Sequence, residues 1–187
     1  MRVNGFFPTV LLCLWAGSET LAQDRQSISY DTAAAETKYS ANYRVTVSDV
    51  PDHILRVFEL RRTFARRPPI FQGVTAKEMW ERGSADTIDQ NGSESSYVTY
   101  LLEDGNKVYG RYSGTIKSFR WPDGSRHFDV QGVIVLNEGT GSFACLRGTV
   151  RVRASLDPGA DSNQIESKGE YWMAQCLPDH VVNPRVR

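Results

Sequence analysis

The stretch 138–154, "EGTGSFACLRGTVRVRA", carries the residue types in this chain most able to do chemistry: three glycines, a thiol and basic side chains. Three chemistries compete for it. Gripping a phosphate would need a Lys-Ser/Thr ending, or a third glycine opening a helix. Gly139 and Gly141 supply only two, Phe143 and Ala144 stand where the third should fall, and "LRGTVRVRA" alternates instead of starting a helix. A nucleophilic Cys145 would need a histidine or a strong positive field to hold a thiolate. Arg147 is near in sequence, but no histidine is. The third reading is a structural cysteine at a tight connection, with one helical turn at "GSFACL". It asks only for a second cysteine, and Cys176 is available.

The remaining reactive side chains are scattered. Glu78, Glu81, Asp86 and Asp89 in "KEMWERGSADTID" could pair as general acid and base. Neighbouring strand residues point to opposite faces, however, and nothing in the segment marks the inner one, so solvated charges on an outer face are expected. "FELRRTFARRPP" offers Arg61, Arg62, Arg66 and Arg67 as an anion-binding rim or a solvated strand face, and a neutral chain favours the second. His53, His127 and His180 lie far apart, so neither a metal site nor a cofactor is expected. Trp80, Tyr100 and Tyr112 are the candidates for lining a cavity, although aromatics in a β-domain usually become core. Asn91 of "NGS" is a glycosylation acceptor only if the source is eukaryotic.

What positions these residues is bounded by the whole chain. Its 187 residues suit one domain with a real core. Lys+Arg and Asp+Glu both total 22, without the basic surplus that a nucleic-acid or anionic-membrane partner calls for. Arg2 followed by the apolar run 6–17 reads as a secretory signal cleaved after Ala22, too short for the roughly 20 residues of a membrane span. The expected organisation is a signal peptide over 1–22, a flexible linker over 23–41, a β-domain over 42–176 and a tail over 177–187. Cleavage removes Cys13 and leaves Cys145 and Cys176 as an even pair in an exported, periplasmic or secreted protein.

From Tyr43 onward, short Val/Ile/Tyr/Phe/Thr-rich stretches alternate with Gly, Asp, Asn and Pro, which is strand-and-turn punctuation. Strands are expected over 42–48, 54–64, 69–80, 95–102, 107–119, 126–136, 146–154 and 166–174. The inner rows are Val108, Gly110, Tyr112, Gly114 and Ile116 in one, and Phe128, Val130, Gly132, Ile134 and Leu136 in another. About eight strands joined by short turns predict an antiparallel β-barrel meander with one short helical turn; a β-sandwich is the alternative. A last hairpin centred between Ala160 and Asp161 sets Val150 opposite Tyr171, Arg151 opposite Glu170 and Cys145 opposite Cys176. The register therefore predicts a Cys145–Cys176 disulfide, with inert free thiols or a catalytic thiol as the other readings. Closing that loop of roughly 30 residues is worth on the order of 3.5 kcal/mol.

The order "DGNKVYGRYSGT", "FDVQGVIVLNEGTGSFACLRGTVRVRA" and "SKGEYWM" resembles the allene oxide cyclase/dirigent-like barrel superfamily, in particular its small exported bacterial members. The carrying residues are Gly139, Thr140, Gly141, Phe143, Leu146 and Gly148, and the resemblance covers about Val50 to Met173. It implies an eight-stranded antiparallel barrel around a central cavity, often assembled into dimers or trimers. No catalytic residue is carried over, because the polar pocket of the plant cyclases does not align with this chain residue by residue. Three roles are expected in descending order. The first is a barrel that binds a small apolar or amphipathic molecule. The second is a non-enzymatic envelope or protein-interaction module with a filled core, and the third an isomerase or cyclase working by confinement. A cavity above about 300 Å³ with inward polar groups would favour binding or catalysis over a filled core. A carboxylate or tyrosine of shifted pKa inside it would strengthen the enzymatic role.

Overall fold

A computed structural model describes residues 24–157 and 163–176, and in it the chain is an all-β antiparallel meander. The strands are β1 Gln26–Ala33, β2 Thr37–Thr46, β3 His53–Thr63, β4 Ile70–Phe71, β5 Val74–Ile88, β6 Asn91–Leu102, β7 Lys107–Arg120, β8 Arg126–Gly139, β9 Leu146–Leu156 and β10 Gln164–Met173. Apart from the two-residue β4, which pairs with β5, they follow one path: β1-β10-β9-β8-β7-β6-β5-β3-β2. Period-2 patterning drives this. Val98, Tyr100 and Leu102 on β6, Val108 and Tyr112 on β7, Ile134 and Leu136 on β8, and Leu146 and Val150 on β9 are all buried. The alternate residues, such as Arg111, Val135 and Thr149, face water.

The sheet is curled but its hydrogen-bond ladder is not closed, since β1 and β2 are the two edges and no ladder joins them. The chain itself bridges them through a single 3-10 turn, Ala34–Glu36. The Glu36 carboxylate accepts from the N–H groups of Ala33 and Ala65, and the Asp31 carboxylate accepts from Arg67 Nε at 3.0 Å. Curling is what lets Tyr30 on β1 reach Tyr100 on β6, with their hydroxyl oxygens 2.6 Å apart.

The two ends of the curled sheet differ. At the base, Phe71 packs between Tyr100 and Tyr171 with ring centroids at 5.3 and 5.4 Å. Phe143 closes the same end from a 3-10 turn, Gly141–Phe143. Gly141 opens that turn at φ +57, which a side chain would strain, so the glycine cluster is a corner. Ala174 N–H donates to the Cys145 carbonyl at 2.9 Å, and Cys145–Cys176 form a disulfide with Cα atoms 5.5 Å apart. The other end carries the β2–β3, β5–β6 and β7–β8 connections and is the mouth.

Three expectations need correction. Residues 26–41, expected within a flexible linker, form β1 and the start of β2, and Ile28, Tyr30 and Thr32 are buried. The polar 81–94 region is a continuous hairpin whose turn is Asp89-Gln90, both at positive φ. The Asn91-Gly92 pair that looks like a turn lies inside β6. Finally, the last hairpin is shifted by two residues: Val150 faces Gly169, Arg151 faces Lys168 and Gly148 faces Tyr171. An even shift keeps every side chain on its face. The cysteines still meet because the strand pairing ends at Leu146 and Met173, and beyond the Ala174–Cys145 hydrogen bond the chain brings Cys176 back onto Cys145.

Candidate cavity site

The curled sheet encloses a cavity of about 380 Å³ that draws wall residues from every strand except β4. Its lining divides by depth. Near the mouth Ile54, Ile116, Phe128, Leu156 and Ile165 form most of the wall, with Arg44, Thr87 and Gln90 among them. Deeper in it turns polar, where Tyr30, Arg62, Glu81, Glu94, Tyr112 and Ser167 converge. Below that floor the aromatic column Tyr30, Tyr100, Phe71 and Tyr171 runs down to the base.

The floor holds buried charge. Glu81 is 3 % exposed; one carboxylate oxygen accepts from Ser96 Oγ at 2.7 Å and the other from an Arg62 guanidinium nitrogen. Arg62 Nε, also buried, has no hydrogen-bond partner. Arg56 donates to Glu94 at 3.0 Å. Burial, and then the charge of Glu81, push the Glu94 carboxyl above its ordinary value, against the pull of Arg56. Burial also raises the hydroxyls of Tyr30, Tyr100 and Tyr112, so all three hold their protons at neutral pH.

Tyr112 is placed by glycines. A Cβ on Gly114 would stand 2.1 Å from the Tyr112 hydroxyl oxygen, and one on Gly132 would stand 2.4 Å from its ring. The two glycines face each other across β7 and β8 and leave a slot in which the ring lies. Its hydroxyl bonds to no described residue and is a donor available to a guest, whereas Arg62 Nε is sealed from solvent without a partner.

The structure puts Tyr112 on the cavity wall. Tyr100 lies one layer below, fully buried and hydrogen-bonded to Tyr30, not on the lining. Trp80 stands on the outer face, half-buried, its Nε1–H donating to Glu78 and its ring under Arg82. The reason is a β-bulge between Ala76 and Glu78 that sets Met79 and Glu81 inward and Trp80 outward. Glu81 and Arg62, expected on solvated faces, are therefore the corrected cases. The signal for Arg62 was its parity with the buried Phe58 and Leu60, and for Glu94 its parity with Val98 and Tyr100. Tyr30 lay in the segment read as linker. Asp86 and Asp89 stay on the surface.

The mouth end carries two histidines, each between two carboxylates. His53 meets Asp49 at 2.6 Å and Asp86 at 2.8 Å. His127 meets Asp157 at 2.6 Å and Asp129 at 3.2 Å, with Ser155 Oγ at 3.0 Å from Nε2. The hydrogen bond to Asp49 raises the His53 pKa, and that to Asp157 raises the His127 pKa. With a carboxylate on each nitrogen, both ring nitrogens of His127 are already engaged and Nε2 is not free to take a proton from Ser155, so this is a latch and not a hydrolytic triad. The folded state holds these protons more tightly than the unfolded chain does. Its stabilisation is complete below the unfolded value near pH 6.5 and is lost as pH rises through the raised folded values. Melting temperature is therefore expected to fall as pH rises above about 6.5, and to fall less in the His53→Gln/His127→Gln double variant. Parallel curves for the two proteins would contradict the latches.

Among the described residues no group of three or more His, Cys, Asp and Glu side chains is set to hold a metal ion, and no helix is long and apolar enough to cross a membrane. No family model, curated protein or solved structure matches this chain. The class that fold and site define is a curled antiparallel sheet enclosing a cavity with a polar floor and an apolar mouth.

Proposed function

We propose that this chain is an exported binding protein of the periplasm or extracellular space. Its cavity takes a small amphipathic molecule, head inward and apolar part toward the mouth. The observation that carries the reading is the Tyr112 hydroxyl, an unused donor beside the buried Arg62–Glu81 pair on the floor of a cavity whose outer wall is mostly apolar. A guest with a hydrogen-bond-accepting head makes a bond there that an apolar guest would leave unmade. The wall carries the guanidiniums of Arg44, Arg56 and Arg62 against the carboxylates of Glu81 and Glu94, so acceptor and anionic heads are favoured over cationic ones. The disulfide is consistent with export. Membership of the allene oxide cyclase/dirigent-like barrels belongs to the same proposal, supported by the curled meander and by the 3-10 corner on the Gly-Thr-Gly segment.

A second reading, an isomerase or cyclase acting on a confined guest, is favoured by one observation: Glu94 is a carboxyl on the cavity wall that burial raises above its ordinary value. Binding separates from catalysis by experiment. Native mass spectrometry of protein purified from the exporting cell is expected to show a retained guest, released unchanged on denaturation. Among synthetic probes of equal chain length, an alkanoate and an alkanol should bind and an alkane should not. Tyr112→Phe is expected to weaken the alkanol by about 3- to 10-fold, the worth of one hydrogen bond. Equal binding of all three probes would remove the polar floor from the account.

A further inference from the structure

We propose that two copies of this chain pair edge to edge through β2, antiparallel about a twofold axis at Tyr43. β2 ends the sheet, with its one ladder to β3, and among the described residues no strand lies beside its other edge. The opposite edge strand, β1, is protected: it buries Ile28, Tyr30 and Thr32 and bridges to Arg67 through Asp31. All ten residues of β2 are at least partly exposed, on both faces. A long edge left open in this way is a template for another strand.

The backbone fixes the register. Val47 N–H donates to the His53 carbonyl at 2.9 Å. Alternation from that pair turns the backbone groups of Tyr43 and Val45 toward β3, and those of Asn42, Arg44 and Thr46 toward the open side. With Tyr43 on the axis, Asn42 of each copy faces Arg44 of the other, and their open N–H and C=O groups pair reciprocally. Lys38 then falls opposite Ser48, and no like charges meet. Moving the axis to Arg44 would set arginine against arginine. Moving it to Asn42 would set Arg44, in the middle of the open edge, against Ser40 in the β-bulge between Tyr39 and Ala41, whereas the Tyr43 axis meets the bulge only at the strand end, through Thr46.

Side chains point the same way. Tyr43 is 70 % exposed beside Val57, and Val45 is 61 % exposed beside Leu55, giving a continuous apolar patch on the outer face against the open edge. Pairing doubles that patch across the axis, tyrosine against tyrosine. Asn42 and Arg44 also line the cavity, so each copy would extend the other's wall at its exposed side.

Sedimentation velocity across a dilution series should show a concentration-dependent dimer. Tyr43→Cys sits on the axis as a non-hydrogen-bonded pair with close side chains, so mild oxidation should link two copies, whereas Val45→Cys should not link. Arg44→Pro removes an N–H from the open side and leaves the β3 ladder intact, so it should disperse the dimer with an unchanged circular dichroism spectrum. A monomer at every concentration overturns the proposal, including one whose β2 edge is covered by its own residues 177–187. So does a dimer that Tyr43→Cys fails to link, and that result stands even if Arg44→Pro does not fold.

Discussion

Glu81→Leu is expected to lower the free energy of unfolding by about 3–5 kcal/mol, a large part of the stability of a domain this size. The loss comes less from the ion pair itself than from what remains. Arg62 would keep a buried guanidinium whose Nε is already without a partner, and Ser96 would lose its acceptor. Burial disfavours the charge on Arg62, and the charge and hydrogen bond of Glu81 outweigh that, holding its proton above the ordinary value. Removing both charges is therefore the informative comparison. Arg62→Met/Glu81→Leu should regain most of the loss, because apolar groups of similar volume need no partner. Urea titrations followed by circular dichroism give both numbers. A single-variant loss below about 1 kcal/mol would mean that water reaches the Glu81 carboxylate and that the floor is not a buried polar site.

Cys145→Ser/Cys176→Ser is expected to cost about 3.5 kcal/mol in the chain-entropy account of a 31-residue separation. The bond spans the base, where the β9–β10 ladder has ended and one backbone hydrogen bond, Ala174 N–H to the Cys145 carbonyl, continues the closure. The loss should be seen as a lower urea midpoint with the slope raised, since the unfolded chain becomes less compact without its cross-link. Ligand binding, at the other end, should change little once the variant is compared under conditions where it is folded. A variant as stable as the parent would mean the cysteines stand near each other without a structural bond.

The two variants act at places that sequence reading reached unequally. The disulfide was legible because alternation fixes faces, and a turn centre misplaced by one residue shifts the register by two, which preserves them. The rows Val108–Ile116 and Phe128–Leu136 were legible for the same reason. The polar floor was not. Charged residues in a strand are usually wet, and in a neutral chain Arg62 reads as solvated despite its parity with Phe58 and Leu60, while Glu94 falls just outside the strand expected over 95–102. For Glu81 and Trp80 parity could not be read at all, because the bulge between Ala76 and Glu78 resets it. β1 was hidden differently. "QSISYDTA" carries inward Ile28, Tyr30 and Thr32, but its serines and proximity to the leader resemble a linker. Only pairing with β10, distant in sequence, makes it a strand.

The central claim is that the cavity is a guest site. A polarity-sensitive fluorescent fatty-acyl probe titrated into the parent protein and into Ala154→Trp tests it most directly, because Ala154 is a small, buried residue of the cavity wall and an indole there fills the space. The account predicts saturable one-to-one binding to the parent and at least a tenfold loss in Ala154→Trp with the fold retained, about 1.4 kcal/mol or more. Undiminished binding by the filled variant, or no saturable binding by the parent, would contradict it.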